Sequence, residues 1–461
     1  MSGVSALNVA KDSLLSHQTA INVTGANIAN VNTTGYTRQR PVFETTGTID
    51  TAAGLIQLSV GIDQIERVYD QFLQREINAQ IQEFGYSDAR NEQLGRIEII
   101  FNETSGEGID DLLNKFWGAW EDLSTNPDGQ AERVALASTA ESLTYMFRSS
   151  SDDLVALQSD VNASIEAMVS QVNSRLSSIA DLNTKISQSE TGEGDTNVLR
   201  DQRTQLVKEL GELINVTYFE DESSSLNIFM ADGSALVEGR NTWELDVRAN
   251  SGNSFYFDVV FADEPDHSIN ALVTRGRMAG LLEIRDVTAA GYLGDLNQLA
   301  ATLVQEINAQ HQLGFDVGNN IGGNFFDETK TEAGTIEVST DILADVNKIA
   351  ASETINGDGN NAVYMARLKD SLTMNGGTST FNGYYASFIG QIGQDVASAD
   401  RTAVYHTTLM DQLTAKRESI SGVSVDEEML NLIKFQTGYT AAAKLTATIE
   451  ELVDTLLNLV E

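Results

Sequence analysis

Each end of this 461-residue chain has the pattern of an amphipathic helix, and such a helix cannot bury its apolar side alone. From about Val4 to Val31, apolar side chains recur every seven residues: Leu7, Leu14, Ile21 and Ile28. A second row, smaller and partly polar, follows three residues later: Ala10, His17, Thr24 and Val31. We therefore expect the two ends to pack against each other, within one subunit or between subunits.

The last 35 residues, from about Asp426, have the pattern of one long helix. Its apolar positions are Met429, Leu432, Ile433, Phe435, Tyr439, Leu445, Ile449, Leu452, Leu456 and Leu459. The apolar row of the N-terminal helix is weak, because small Ala and polar Thr and His occupy half of its positions. We therefore expect the terminal helices to be marginally stable in an isolated monomer and ordered by assembly. A stable terminal hairpin docked on the core fits the same pattern and stays open.

The interior changes character several times. Residues 37–65 indicate short extended segments, and a helical stretch from 109 to 215 breaks at 124–130 and 189–197. Residues 216–275 indicate a compact β module of about five strands. The predicted fold is mainly α with an inserted β module, elongated, with discontinuous domains and the terminal helices forming a coiled-coil-like domain around a helical bundle. The predicted domains are 1–62 plus 421–461 (terminal assembly), 63–215 plus 276–420 (helical bundle) and 216–275 (β-rich).

Composition excludes several classes of function. The formal net charge is −38, from 67 Asp+Glu against 29 Lys+Arg, without a basic cluster. Nucleic acid and anionic membranes are therefore excluded as primary partners. The absence of cysteine excludes disulfides and thiol chemistry. The N-terminal segment lacks the apolar core of a secretory signal, and no run of about 18 apolar residues predicts a membrane helix. Export, if it occurs, is expected without a cleaved signal.

Catalytic and metal-binding motifs find no support in the sequence. The histidines His17, His267, His311 and His406 have no zinc-ligand spacing. The segment 357–362 fits GxGxxA loosely but lacks a preceding strand, and its Asn/Asp/Gly loop lacks the closing Glu of a calcium loop. We therefore predict no cofactor, no metal and no enzymatic activity.

The two chain ends carry motifs that resemble the flagellar axial proteins, which are the rod, hook and hook-associated subunits. The segment LLSHQTAINVTGANIANVNTTGYTRQR, residues 14–40, resembles their N-terminal motif, with Thr34 where the usual form has Pro. Its most specific positions include Asn27, Ile28, Asn30, Asn32, Gly35, Tyr36 and Arg38. Residues 419–459 resemble their C-terminal motif, and the hook-associated form is closest at Ser421, Gly422, Val423, Asp426 and Glu427. Three interior segments also resemble that form: 281–286, 308–311 and 322–326.

The resemblance implies a structural subunit that joins hook to filament. Its implied partners are further copies of itself, the hook protein, a second hook–filament junction protein and a cytosolic export chaperone. It implies type III export without a cleaved signal and a place in the extracellular flagellum. The N-terminal motif and helix would serve assembly, and the apolar side of the C-terminal helix would contact either the assembly or the chaperone.

Three alternatives stay open at this stage. The chain could be another axial subunit, such as a hook or distal rod protein, which would differ mainly in the middle of the chain and around Ser421–Glu428. It could be a secreted wall-acting enzyme, which would need a polar cluster in a pocket, most plausibly within 216–330. The β module could also provide an adhesive or antigenic surface.

Overall fold

A computed structural model of the chain describes residues 3–51, 54–102, 108–190, 196–355 and 357–458. The chain divides into two units. Unit 1 comprises Met1–Gln82, Val172–Glu244 and Thr407–Glu461, and unit 2 comprises Glu83–Gln171 and Leu245–His406. The prediction of a mainly α-helical fold with helices at both ends is confirmed.

Unit 1 begins with helix α1 (Gly3–Ala29), which is followed by a long antiparallel hairpin of β1 (Gln39–Thr51) and β2 (Gly54–Arg67). A register shift between Val42 and Phe43 interrupts the ladder. The expected short extended segments are thus two long strands paired with each other. Alternation is weak here because Thr and Gly occupy many positions, so the sequence indicates extended backbone but not its pairing.

The helices that follow agree with the predicted breaks. They are α2 (Gln71–Ile100), α3 (Ile109–Thr125), α4 (Gln130–Glu190) and α5 (Asn197–Leu213). The turn between α3 and α4 contains Pro127, whose ring is unfavourable inside a helix. Gly129 closes this turn by donating its backbone N–H to the carbonyl of Asn126.

Residues 216–275 form two antiparallel sheets in the part of the chain that the structure describes. The first has the order β3 (Thr217–Glu220), β4 (Leu226–Phe229), β5 (Ala235–Glu238) and β6 (Asn241–Thr242), all in unit 1. The second has the order β7 (Leu245–Ala249), β8 (Phe257–Phe261) and β9 (Glu264–Ser268), all in unit 2. These seven strands exceed the expected five, because short hairpins around Gly233 and Gly239 are hard to separate in sequence. The predicted domain bounds remain a prediction.

The remaining elements are α6 (Gly276–Glu283), a π-helical turn (Ile284–Thr288), α7 (Ala289–His311), α8 (Thr340–Ala344), α9 (Asn360–Arg367), α10 (Phe381–Ser421) and α11 (Val425–Asn458). The core of unit 2 includes a cluster of buried aromatic rings: Phe116, Trp117, Trp120, Phe325 and Phe326. None of the helices in the described ranges is long and apolar enough to span a membrane.

Candidate assembly site at the chain ends

Helices α1 and α11 pack against each other within the one chain. The α1 residues that this region buries are small or polar rather than leucines: Ala10, Ser16, Ala20, Val23, Thr24 and Asn27. Leu7 is exposed, and Leu14, Ile21 and Ile28 are half-buried. Ala10 and Thr24 belong to the second predicted row, whose last member, Val31, is exposed. Small side chains allow α1 to approach its neighbours closely.

On α11 the buried residues recur every seven positions: Glu428, Phe435, Ala442 and Ile449. The rings of His17, Phe43 and Phe435 form a cluster in which His17 lies 6.1 Å from Phe43 and 6.4 Å from Phe435, and the two phenylalanines are 5.8 Å apart. A Cβ added to Gly438 would come within 2.5 Å of the His17 ring. A glycine at position 438 is thus what allows the imidazole to lie against the α11 backbone. Burial lowers the pKa of His17.

Asn27 joins the N-terminal motif to the C-terminal motif. Its Nδ2 donates to the Gln39 carbonyl (2.8 Å) and to Glu428 Oε2 (2.9 Å). Its Oδ1 accepts from the Gln39 N–H (3.0 Å) and from the Tyr36 hydroxyl (2.9 Å). Asn27 and Glu428 are both buried, and 401 positions separate them in the chain. One amide side chain thereby fixes the end of α1, the start of β1 and the start of α11.

Arg38 makes the second connection between the motifs. Its Nε lies 2.9 Å from Glu428 Oε1 and its Nη1 lies 2.8 Å from Glu427 Oε2. The Glu428 side chain is only 3% exposed, so its charge is compensated by Arg38 and by the Asn27 amide. The backbone N–H of Arg38 also donates to the carbonyl of Ser421 (2.9 Å), where α10 ends. Carboxylates in the first turn of α11 are additionally favoured by the helix dipole.

The motif between α1 and β1 contains a tight turn. The Tyr36 N–H donates to the Thr33 carbonyl (3.1 Å), and Gly35 has φ +82°. These features define a type II turn, in which the third residue needs positive φ and the second favours proline. Thr34 occupies that second position, which explains the usual Pro there and leaves the turn intact in this chain.

The other predicted site residues lie as follows. Asn30, Gly35, Tyr36, Gly422, Val423 and Leu432 are half-buried, and Ser421, Phe435 and Ile449 are buried. Asn32, Asp426, Glu427, Met429, Ile433, Tyr439, Leu445 and Leu452 are exposed. The side chains of Leu456 and Leu459 lie outside the described residues. The structure thus brings Asn27, Tyr36, Arg38, Ser421 and Glu427 together, and leaves much of the apolar side of α11 outward.

Sequence reasoning missed two carboxylates at this site. Glu428 ends the Ser421–Glu428 segment but is not among the predicted site residues, although it is the buried partner of Asn27 and Arg38. Asp201 on α5 accepts from the Thr37 N–H (3.0 Å) and from Arg67 Nη1 (2.9 Å), so it ties the end of β2 and the segment that leads into β1 to α5. Only the position of Glu428 inside the C-terminal motif could have indicated its role; Asp201 has no local signal.

Two of the three interior segments, 308–311 and 322–326, contact each other in unit 2. Asn308 accepts from the N–H groups of Phe325 and Phe326 and donates to the Phe326 carbonyl. His311 Nε2 accepts from the Ala350 N–H (2.8 Å), so Nδ1 carries the proton that it donates to the Gly323 carbonyl (2.7 Å). Burial lowers the pKa of His311 to about 4. These two polar residues therefore hold the 322–326 loop, and they have a structural role.

Family models match both chain ends and the interior. The model described as "Flagellar hook-associated protein FlgK helical domain" matches residues 94–326. "Flagella basal body rod protein" matches 3–37 and "Flagellar basal body rod FlgEFG protein C-terminal" matches 416–459. The joined ends and these matches define the class of protein as a flagellar axial subunit.

Full-length relatives specify the family. Flagellar hook-associated protein 1 of Bacillus subtilis (strain 168) is 30% identical, covering 98% of this chain and 97% of that protein. The protein of the same name in Escherichia coli (strain K12) is 28% identical, covering 99% of this chain and 100% of that protein. The solved flagellar hook junction protein FlgK from Burkholderia pseudomallei shares the fold, with a TM-score of 0.68 at 17% identity over 75% of this chain and 100% of that chain.

The chain belongs to the flagellar hook-associated protein 1 family. It is a structural subunit of the bacterial flagellum, and members of this family are parts of the extracellular flagellum. The expectation drawn from the terminal motifs is thereby confirmed over the alternative hook and distal rod subunits.

Proposed function

We propose that the chain joins hook to filament by polymerising with further copies of itself through the α1–α11 module. The observation that supports this most directly is that α11 buries one row of side chains and leaves other apolar side chains exposed. The row with Phe435 and Ile449 is buried within the chain. The exposed apolar residues of α11 include Met429, Leu430, Ile433, Leu445 and Leu452. An exposed apolar surface of this kind on an otherwise acidic protein is typical of an interaction site.

The neighbours in the proposed assembly are the hook protein on one side and a second junction protein on the other. The chain reaches them by type III export without a cleaved signal. Before export, a cytosolic chaperone covers the apolar side of α11, because an amphipathic helix fits an apolar groove. The similar fold of the Burkholderia pseudomallei protein, described as a flagellar hook junction protein, supports the location.

The proposed role is structural rather than enzymatic. In the region where a wall-acting enzyme would need its polar cluster, Arg285 and His311 are buried and bonded within the chain. Arg285 Nη1 donates to Asn162 Oδ1 (2.8 Å) and to the Phe257 carbonyl (2.8 Å). Their hydrogen bonds are thus used to hold the fold of unit 2.

Removal of the chain from the native bacterium tests the location. We expect intact hooks that shed their filaments into the medium, seen by electron microscopy. Basal bodies without hooks would contradict the junction role and favour a rod or hook subunit.

A point substitution tests the proposed surface. Leu452 is 59% exposed, so Leu452→Asp should leave the monomer folded but reduce filament attachment. Leu372→Asp is the matched control, because Leu372 in unit 2 is 60% exposed and lies outside the terminal module. Charged residues at Ile21 or Ile28 should act in the same direction as Leu452→Asp. Equal attachment with Leu452→Asp and Leu372→Asp would contradict assembly through α11.

Protease protection tests whether assembly orders the ends. Cleavage within α1 and α11 should be faster in the dilute monomer than in isolated flagella. Equal protection of both helices in the two states would show that the terminal module is already complete in the monomer.

A further inference from the structure

A pocket of about 270 Å³ in unit 1 is lined by three arginines. Arg67 and Arg75 come from the end of β2 and from α2, and Arg203 comes from α5. Tyr69, Tyr218 and Phe219 supply the aromatic part of the lining. The chain has only 29 Lys+Arg among 461 residues and a net charge of −38, so three arginines at one pocket make an unusual local surface.

Two of the arginines are fixed within the fold. The Arg203 side chain is 4% exposed, and it contacts Glu220 Oε1 (2.7 Å) and the Ser224 carbonyl (2.7 Å). Arg67 pairs with Asp201 and lies 4.8 Å from the centroid of the Tyr69 ring. These pairs neutralise Arg67 and Arg203 and give the pocket a rigid base.

Arg75 is different, because it is exposed and forms no ion pair with any described residue. Its guanidinium lies over the ring of Phe72, 5.6 Å from the centroid. Phe72 itself is 79% exposed. Phe219 also lines the pocket, and its exposed ring stacks on Phe229 at 5.6 Å. We call Phe72, Arg75, Tyr69 and Phe219 the arginine–aromatic patch.

We propose that the arginine–aromatic patch binds an acidic surface of a second copy of this chain. Arginine and aromatic side chains are the residues that dominate binding energy at protein interfaces. A neighbouring copy carries 67 Asp+Glu side chains, so it offers the complementary charge that no described residue of its own chain gives to Arg75 in an ion pair. This inference rests on the self-assembly proposed above and assigns it a second contact, outside α1 and α11.

The charge of the patch also fixes the type of contact. If two patches met face to face, each Arg75 would be buried near another Arg75, which like-charge repulsion opposes. The patch must therefore meet a different surface of its neighbour. Such a head-to-tail contact repeats from copy to copy and generates a ring or a helical array rather than a closed dimer.

Photo-crosslinking in assembled flagella tests the proposal. A benzophenone-bearing phenylalanine at position 72 of the full chain, expressed in the native bacterium, should give self-crosslinked dimers on irradiation. Mass spectrometry should map the second site to a segment rich in Asp and Glu. In the same crosslinking chain, Arg75→Glu should lower the dimer yield about tenfold or more, since it places like charges across the contact.

Arg240→Glu is the matched control, because Arg240 is an exposed arginine of unit 1 outside the patch. It should leave the dimer yield within about twofold of the unmodified chain, as expected for a charge with no contact across the interface. Crosslinks to another flagellar protein, crosslinks to the same patch of a second copy, or no crosslink in cells with attached filaments would each overturn the proposal. None of those results would contradict the junction role. That role is tested separately, and filaments that stay attached without the chain would contradict it.

Discussion

The Asn27 amide offers the sharpest test of how the two chain ends are held. Asn27→Ala removes four hydrogen bonds, two of them to the buried backbone N–H and carbonyl of Gln39. Each buried polar group left without a partner costs about 1–3 kcal/mol. Glu428 keeps Arg38, and the half-buried Tyr36 hydroxyl can bind water. The two Gln39 groups therefore dominate, and we expect a loss of about 3 kcal/mol in the free energy of opening the terminal module.

Amide hydrogen exchange on the full chain measures this quantity. A loss of about 3 kcal/mol corresponds to roughly 100-fold faster exchange of α1 and α11 amides that exchange through opening. Asn32→Ala is the matched control, because Asn32 lies in the same motif but is exposed. A change below about threefold with Asn27→Ala, or the same change with Asn32→Ala, would refute the argument that this hub closes the module.

The following changes should also have defined signs. Thr34→Pro should stabilise the module by about 0.4–1 kcal/mol in denaturant unfolding, since proline suits the second position of the turn. Gly438→Ala should destabilise the terminal module by about 1–3 kcal/mol, because the added Cβ clashes with His17. Gly25→Ala is the comparison: its Cβ meets no atom within 4 Å, so it should stabilise α1 by up to about 1 kcal/mol. Because burial lowers the pKa of His311 to about 4, the unfolded chain binds a proton that the folded chain refuses as the pH falls below about 6.5. Unit 2 should lose up to about 3 kcal/mol of stability between pH 6.5 and 4, measured by tryptophan fluorescence, and His311→Gln should remove most of that pH dependence.

The sequence predicted helices well where their ends have local causes. The breaks at 124–130 and 189–197 coincide with the ends of α3, α4 and α5, because proline, glycine and clustered polar residues stop helices locally. The last helix was expected from about Asp426 and begins at Val425. The resemblance of the two terminal motifs correctly indicated the family, since those motifs are dense in specific residues.

Non-local features could not be predicted in the same way. The side of α1 that becomes buried depends on how closely the helix approaches its neighbours, which periodicity does not show. Ala10 and Thr24 are therefore buried, whereas Leu7 is exposed and Ile21 is half-buried. The pairing of Asn27 with Glu428 spans 401 positions, and periodicity carries no information over that distance. The β1–β2 ladder depends on register, which Thr-rich strands specify weakly.

The hydrogen bonds and ion pairs around Asn27 form only when one chain carries both of its ends. Any message or polypeptide that ends before α11 supplies Asn27 and Arg38 but neither Glu427 nor Glu428. A chain that lacks residues 1–38 leaves the buried Glu428 without its cation and its amide. Neither fragment can close the module. Because the two halves come from opposite ends, fragments cut anywhere between them carry the same defect. A growing flagellum built from such subunits would reject incomplete copies without a separate inspection step.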